Sequence, residues 1–303
     1  MSLYLGIDAG GTKTESAVSN GAELLGQAMA ATAKIARVGE EQARQNLQQS
    51  IVRACEAAKV SPQAIDRVCI GISGASIAGV RSWTERVIHE LVPGEVMVSG
   101  DQSIAHRAAF GTMPGVLVLA GTGSFAYGRN EKGEVARAGG WGPGISDEGS
   151  AYWIGHEALA VALRLHDRAA NNGLLSTISG LWGTSSLEDV IRIANTDAAA
   201  KFTELAETVA AMAEKGDITA QTITTRAGKE LAALTGVVIT RLWPRDTVVR
   251  VAMAGGVLQG SALVRRAFQE ALHADYPKAA VSFAYVRPVL GALAIAAQPG
   301  AVK

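Results

Sequence analysis

Three glycine-bearing segments and two aspartates carry most of the chemistry open to this sequence. Asp8-Ala9-Gly10-Gly11-Thr12-Lys13-Thr14 follows the apolar run Leu3 to Ile7. Adjacent glycines let backbone N–H groups converge on an oxyanion, because no Cβ obstructs the approach. Thr12 adds a hydroxyl donor and Lys13 a positive charge. Asp8, at a strand end, is placed to hold a hydrated Mg²⁺. Gly121-Thr122-Gly123-Ser124, between two strand-like runs, repeats this logic. Gly255-Gly256-Val257 stands where a strand gives way to a helix. A helix N-terminus attracts anions and polar groups, and small residues admit a flat base. Neither G-x-x-x-x-G-K-[ST] nor G-x-G-x-x-G is present. Each segment alone also fits an ordinary tight turn. Three in this order read together as a phosphate-binding set.

Asp101 follows the short run Glu95 to Ser99 and opens a helix. A carboxylate there can serve as an N-cap. It can also take the proton from a substrate hydroxyl, since strand carboxyl ends face the ligand crevice in open α/β folds. Asp147 follows the loop Gly139-Gly140-Trp141-Gly142-Pro143-Gly144 and is read at a helix start as well. An N-cap or an acceptor for sugar hydroxyls both suit it, and Glu148 can orient the loop or join the binding. The five histidines have no metal-ligand spacing, and no Gly-x-Ser-x-Gly elbow occurs. Cys55 and Cys69 are too few for a disulfide scaffold and read as ordinary core or surface thiols.

The elements that must position these groups alternate between strand and helix. A strand meander occupies Leu3 to about Met29, a helix Glu40 to Ala58, a strand Arg67 to Ile72, and a helix Ala78 to Leu91. Gly100-Asp101 opens a helix through Phe110. Strands follow at Val116 to Leu119 and Phe125 to Arg129. An alanine-rich helical tract runs to Leu242, and then come a strand Val248 to Met253, a helix Val257 to His273, a strand Val281 to Tyr285 and a helix Pro288 to Ala297. The pattern is α/β with two related lobes. At 303 residues the chain suits two domains. Lys plus Arg and Asp plus Glu are 28 each, which gives no field for nucleic acid or a membrane surface. The first residues lack a secretory signal and no run is long enough to span a bilayer, so a cytoplasmic protein is expected.

Asp8 to Thr14 resembles the first phosphate motif of the actin, hexokinase and heat-shock chaperone superfamily. Gly121 to Ser124 resembles its second phosphate motif, and Ala254-Gly255-Gly256-Val257 its adenosine motif. Gly139-Gly140-Trp141-Gly142 with Ser146 to Ile154 is similar to the N-acetylglucosamine kinase branch of the BadF/BadG/BcrA/BcrD ATPase family. The resemblance spans nearly the whole chain.

It implies two ribonuclease-H-like, actin-like ATPase lobes around a central cleft. These would cover residues 1–108, joined by a C-terminal helix 287–303, and residues 109–286. It implies ATP and Mg²⁺ as cofactors and transfer of phosphate to an amino sugar, N-acetylglucosamine at its 6-hydroxyl. Asp8 would lie near Mg²⁺. Gly10, Gly11, Thr12, Lys13, Gly121, Thr122 and Gly123 would hold phosphates, with Ala213, Gly255 and Gly256 at the adenosine. Asp101 would be the base. Gly140, Trp141, Gly142 and Asp147 would line the sugar pocket with it. A homodimer is the family expectation. Lys34 and Phe125 stand where the mammalian branch has asparagine, which leaves glucosamine or another hexose derivative as alternatives. An activator of a 2-hydroxyacyl-CoA dehydratase and a non-catalytic sugar sensor are the rival readings.

Overall fold

The computed structural model describes residues 2–170, 173–196 and 198–298. Two units emerge: residues through Met113 together with those from Tyr285 onward, and Pro114–Ala284. Of the tract 287–303 expected to rejoin the first lobe, residues 299–303 lie outside the described residues, as does Met1.

In the first unit β1 (Tyr4–Ala9), β2 (Lys13–Ser19) and β3 (Leu24–Ala31) form an antiparallel meander. After α1 (Ile35–Val38) and α2 (Glu40–Ala58), β4 (Arg67–Ile72) returns parallel to β1. Then α3 (Val80–His89) leads to β5 (Glu95–Gly100), parallel to β4, and α4 (Asp101–Phe110) follows. The sheet order is β3-β2-β1-β4-β5. β4 reads as an unbroken apolar run because the sheet is covered on both faces there.

The second unit repeats this plan. β6 (Gly115–Ala120), β7 (Ser124–Arg129) and β8 (Val135–Gly139) form the meander. The helices α5 (Ala151–Asp167), α6 (Gly173–Trp182), α7 (Leu187–Thr196), α8 (Ala198–Glu214) and α9 (Ile218–Leu242) follow. β9 (Arg250–Ala254) pairs parallel with β6. α10 (Gly256–Gly260) and α11 (Ala262–Asp275) lead to β10 (Ala280–Phe283), parallel to β9. The order β10-β9-β6-β7-β8 matches the first sheet strand for strand.

Two readings of the sequence change. β8 was not expected, because Val-Ala-Arg-Ala-Gly lacks a strong alternating pattern; its pairing with β7 makes it a strand. The single helix expected over Val257 to His273 is divided at Ser261, whose Oγ accepts from the Val264 N–H at 3.3 Å and starts α11 afresh.

The closing helix α12 (Pro288–Ala296) packs in the first unit against β1 and α4. Glycines make this approach possible. A Cβ on Gly6 would stand 2.6 Å from the Leu293 nitrogen, and one on Gly291 only 1.9 Å from the Ile104 carbonyl oxygen. Backbone cannot yield as a flexible side chain would. Gly291→Ala is therefore expected to lower the unfolding free energy by about 2 kcal/mol or more, read by urea denaturation. A loss under about 0.5 kcal/mol, the usual range of a surface change, would show that α12 docks otherwise.

Candidate active site

Because β1, β4 and β5 run parallel, their carboxyl ends share one edge of the first sheet. Asp8, the loop Gly10 to Thr12, and Asp101 all stand at that edge. Gly10 N–H closes the hairpin onto the Lys13 carbonyl at 3.0 Å. Thr32 Oγ1 donates to the Gly10 carbonyl at 2.8 Å, and Arg37 Nη1 to the Gly11 carbonyl at 2.8 Å. Asn46 Nδ2 in turn donates to the Thr32 carbonyl at 2.7 Å. The loop is thus braced from behind through its carbonyls. Gly10 and Gly11 have ordinary φ, and a Cβ on Gly11 would meet nothing within 4 Å. The packing itself does not demand glycine at this turn. Lys13 lies 3.8 Å from Glu15 and is largely exposed.

Burial raises the Asp8 carboxyl from its ordinary 3.8 to about 7, helped by the charges of Asp101 and Glu15 and opposed by Lys13. A site where burial and two neighbouring carboxylates outweigh one ammonium suits a divalent cation. Among the described residues no group of three or more His, Cys, Asp or Glu is arranged to hold a metal. A Mg²⁺ ion, which takes one or two carboxylates and fills its remaining positions with water and substrate phosphates, is the cation that Asp8 would suit. Asp101 is the first residue of α4; the cap position belongs to Gly100, which makes no side-chain cap bond. Asp101 Oδ1 accepts from the Gln102 N–H at 2.9 Å. Asp101 thus stands at the first helical position, where the helix dipole favours negative charge.

In the second unit, Gly121 N–H donates to the Gly123 carbonyl at 2.9 Å, and the Ala151 N–H to the Gly121 carbonyl at 2.8 Å. Ser124 Oγ donates to the Glu148 carbonyl at 2.7 Å. The second glycine loop is so fixed to the start of α5, with Thr122 exposed at its tip. Asp147 is not at a helix start as expected. Ser150 caps α5, its Oγ accepting from the Trp153 N–H at 3.1 Å. Asp147 instead lies in the preceding loop at φ 70°, with its side chain buried. Its Oδ1 accepts from the Gly142 N–H at 3.4 Å, and its Oδ2 would stand 2.8 Å from a Cβ on Gly123. One carboxylate thus joins the Gly139 to Gly144 loop to the second glycine loop. Gly139, Gly140 and Gly142 take φ of 73°, 72° and 99°, which only glycine adopts freely. They leave Trp141 65% exposed.

The third segment divides into two roles. Gly255 has φ 98°, and a Cβ there would lie 2.3 Å from the Ala120 carbonyl oxygen, so it closes β9 against the end of β6. Gly256 begins α10 with open space around it. Ala213 is fully buried in α8, its carbonyl accepting from Gln221 Nε2 at 3.0 Å, and it presents no surface to a ligand. Sequence reading missed the braces Thr32 and Arg37, since nothing in their local pattern marks them. It also missed Arg137, described below, whose place two residues before Gly139-Gly140 was the available signal.

Two sheets of one topology, each with a glycine hairpin between its first two strands, define an actin-like ATPase fold. The profile of the BadF/BadG/BcrA/BcrD ATPase family matches residues 5–296, and the chain belongs to that family. A Clostridium acetobutylicum protein named N-acetylmuramic acid/N-acetylglucosamine kinase is 30% identical over 301 residues, 98% of each chain. The N-acetyl-D-glucosamine kinase of Dictyostelium discoideum is 25% identical, over 97% of each chain. The solved structure of a proposed N-acetylglucosamine kinase from Chromobacterium violaceum superposes with a TM-score of 0.80 at 22% identity, covering 98% of this chain and 99% of that one.

Asp8 yields a pH prediction. Its native pKa lies above its unfolded value, so it favours folding when protonated. That contribution is full below about pH 4 and is lost as pH rises through about 7. Metal-free protein should therefore lose stability over this window, and Asp8→Asn should flatten the loss, in urea titrations run with chelator. Equal pH slopes for the two proteins would contradict the burial of this carboxyl.

Proposed function

We propose that the protein transfers the γ-phosphoryl group of ATP to the 6-hydroxyl of an amino sugar, N-acetylglucosamine. The observation that carries this is the end-to-end similarity to two kinases of N-acetylated amino sugars, together with a carboxylate at each position the transfer needs. Asp101 takes the proton from the attacking hydroxyl; its place at the start of α4 holds it at the sheet edge beside Asp8. Thr12 and Thr122, with the N–H groups of Gly11 and Gly123, bind the phosphates, Lys13 adds charge, and Gly10 and Gly121, whose own N–H groups close the two hairpins, let the phosphates approach the loops. Gly256 borders the adenosine. Gly140, Trp141, Gly142 and Asp147 bind the sugar. Asp8 holds Mg²⁺, which when bound neutralises charge on the phosphates.

Cytoplasmic location and a homodimer belong to the same proposal. In its support, no helix among the described residues is long and apolar enough to cross a membrane. The activator reading requires cysteine ligands for an iron–sulfur cluster. Cys55 and Cys69 are both buried in the core of the first unit and present no thiol at its surface. Phe125 pairs with Gly139 at the base of the sugar loop, so an apolar ring replaces an amide there. Glucosamine therefore stays in the substrate panel.

Coupled ADP release from Mg-ATP, run with N-acetylglucosamine, N-acetylmuramic acid, glucosamine and glucose, tests this reading. N-acetylglucosamine should stimulate turnover, and Asp101→Asn should lower kcat by about 10²–10⁴. ATP binding without sugar-stimulated ADP release would leave a sensor in place of a kinase.

A further inference from the structure

Arg137, in β8, makes three contacts with the residues that follow it. Its Nε donates to the Gly139 carbonyl at 3.0 Å and its Nη2 to the Gly140 carbonyl. Its guanidinium carbon lies 5.1 Å from the centre of the Trp141 ring. The two carbonyls are reachable together because Gly139 and Gly140 both take positive φ. The planar fork of a guanidinium suits two such acceptors, and its face suits an indole, where a lysine ammonium could meet only one demand well. The fit is tight: a Cβ on Gly140 would stand 2.6 Å from Arg137 Nη2. Its φ of 72° calls for glycine at Gly140, and a side chain there would push the Arg137 guanidinium aside. Arg241 Nη1, from α9, donates to the Arg137 carbonyl at 3.1 Å and holds the strand end itself. Among the described residues Arg137 forms no ion pair, so no carboxylate draws it from this position.

The geometry points to Arg137 as the positioning residue of the sugar loop: it presets the indole of Trp141 to stack on the apolar face of a pyranose ring. This rests on the sugar-kinase reading above. An exposed indole would otherwise sample several rotamers, and each lost rotamer on binding weakens affinity. With the guanidinium beneath one side, the rest of the ring faces solvent and is ready for the sugar's C–H groups. The role concerns sugar binding and leaves the phosphoryl-transfer residues unaltered.

Steady-state kinetics of Arg137→Gln and Arg137→Lys, with acrylamide quenching of tryptophan fluorescence, test it. In Arg137→Gln the KM for N-acetylglucosamine should rise about tenfold, with kcat within about threefold and KM for ATP unchanged, the pattern of lost uniform binding. Arg137→Lys should fall between, and it carries the test if the glutamine variant does not fold. Saturating sugar should protect the unaltered protein from quenching. Trp141→Phe should abolish that protection, and both Arg137 variants should reduce it. Unchanged sugar KM in folded variants, or equal rises in the sugar and ATP KM values, would overturn the role of Arg137. Failure of the unaltered protein to phosphorylate any sugar would instead remove the functional reading on which it rests.

Discussion

A carboxyl that folding places among other carboxylates sets the terms for the first unit. Asp8 lies one residue before the end of β1 in a partly buried position, where burial first, and then the charges of Asp101 and Glu15, raise its carboxyl above the ordinary range. Water would normally screen such a group, and here the sheet and the loop exclude much of it. The chain tolerates this because the surrounding contacts are strong: the parallel pairing of β1 with β4, and the glycine-permitted docking of α12 on the other side. The arrangement makes little sense as a stabilising device. It fits the role proposed for Asp8 beside a cation, since perturbed carboxyls gather at functional sites.

The second unit uses the same strand order for a different task. Its meander carries the second glycine hairpin, and among the described residues its crossover from β8 to β9 is enlarged to five α-helices where the first unit has two. What the enlargement adds is support. α5 begins beneath the second glycine loop, and α9 reaches the strand end that bears Arg137. Asp147 then links the two ligand loops through one buried carboxylate. Glycine serves two distinct purposes throughout. Gly6, Gly255 and Gly291 are glycine because backbone approaches too closely for a Cβ, whereas a Cβ on Gly11, Gly121 or Gly256 would meet nothing within 4 Å.

Much of this was legible before any coordinates. The bounds of α2 at Glu40 and Ala58 followed from its apolar spacing, and the structure stops it at a left-handed Lys59. β4 declared itself by an unbroken apolar run, and the three glycine segments by their order after strands. The illegible parts have physical causes. β8 depends on a partner strand for its existence, since its own residues prefer nothing strongly. Asp147 looked like a cap because the true cap, Ser150, is three residues on and equally suited to the task. Thr32, Arg37 and Arg137 act by reaching across a turn to a carbonyl, and local sequence does not record where a carbonyl will point.

The most direct test of the central claim is the identity of the phosphorylated product. Phosphorus NMR of a reaction containing Mg-ATP and N-acetylglucosamine should show one monoester resonance coupled to the two protons of the sugar's C6 methylene. That result places transfer at the hydroxyl that Asp101 is held to deprotonate. A product spectrum of inorganic phosphate alone, or of an ester coupled to a single ring proton, would contradict the account.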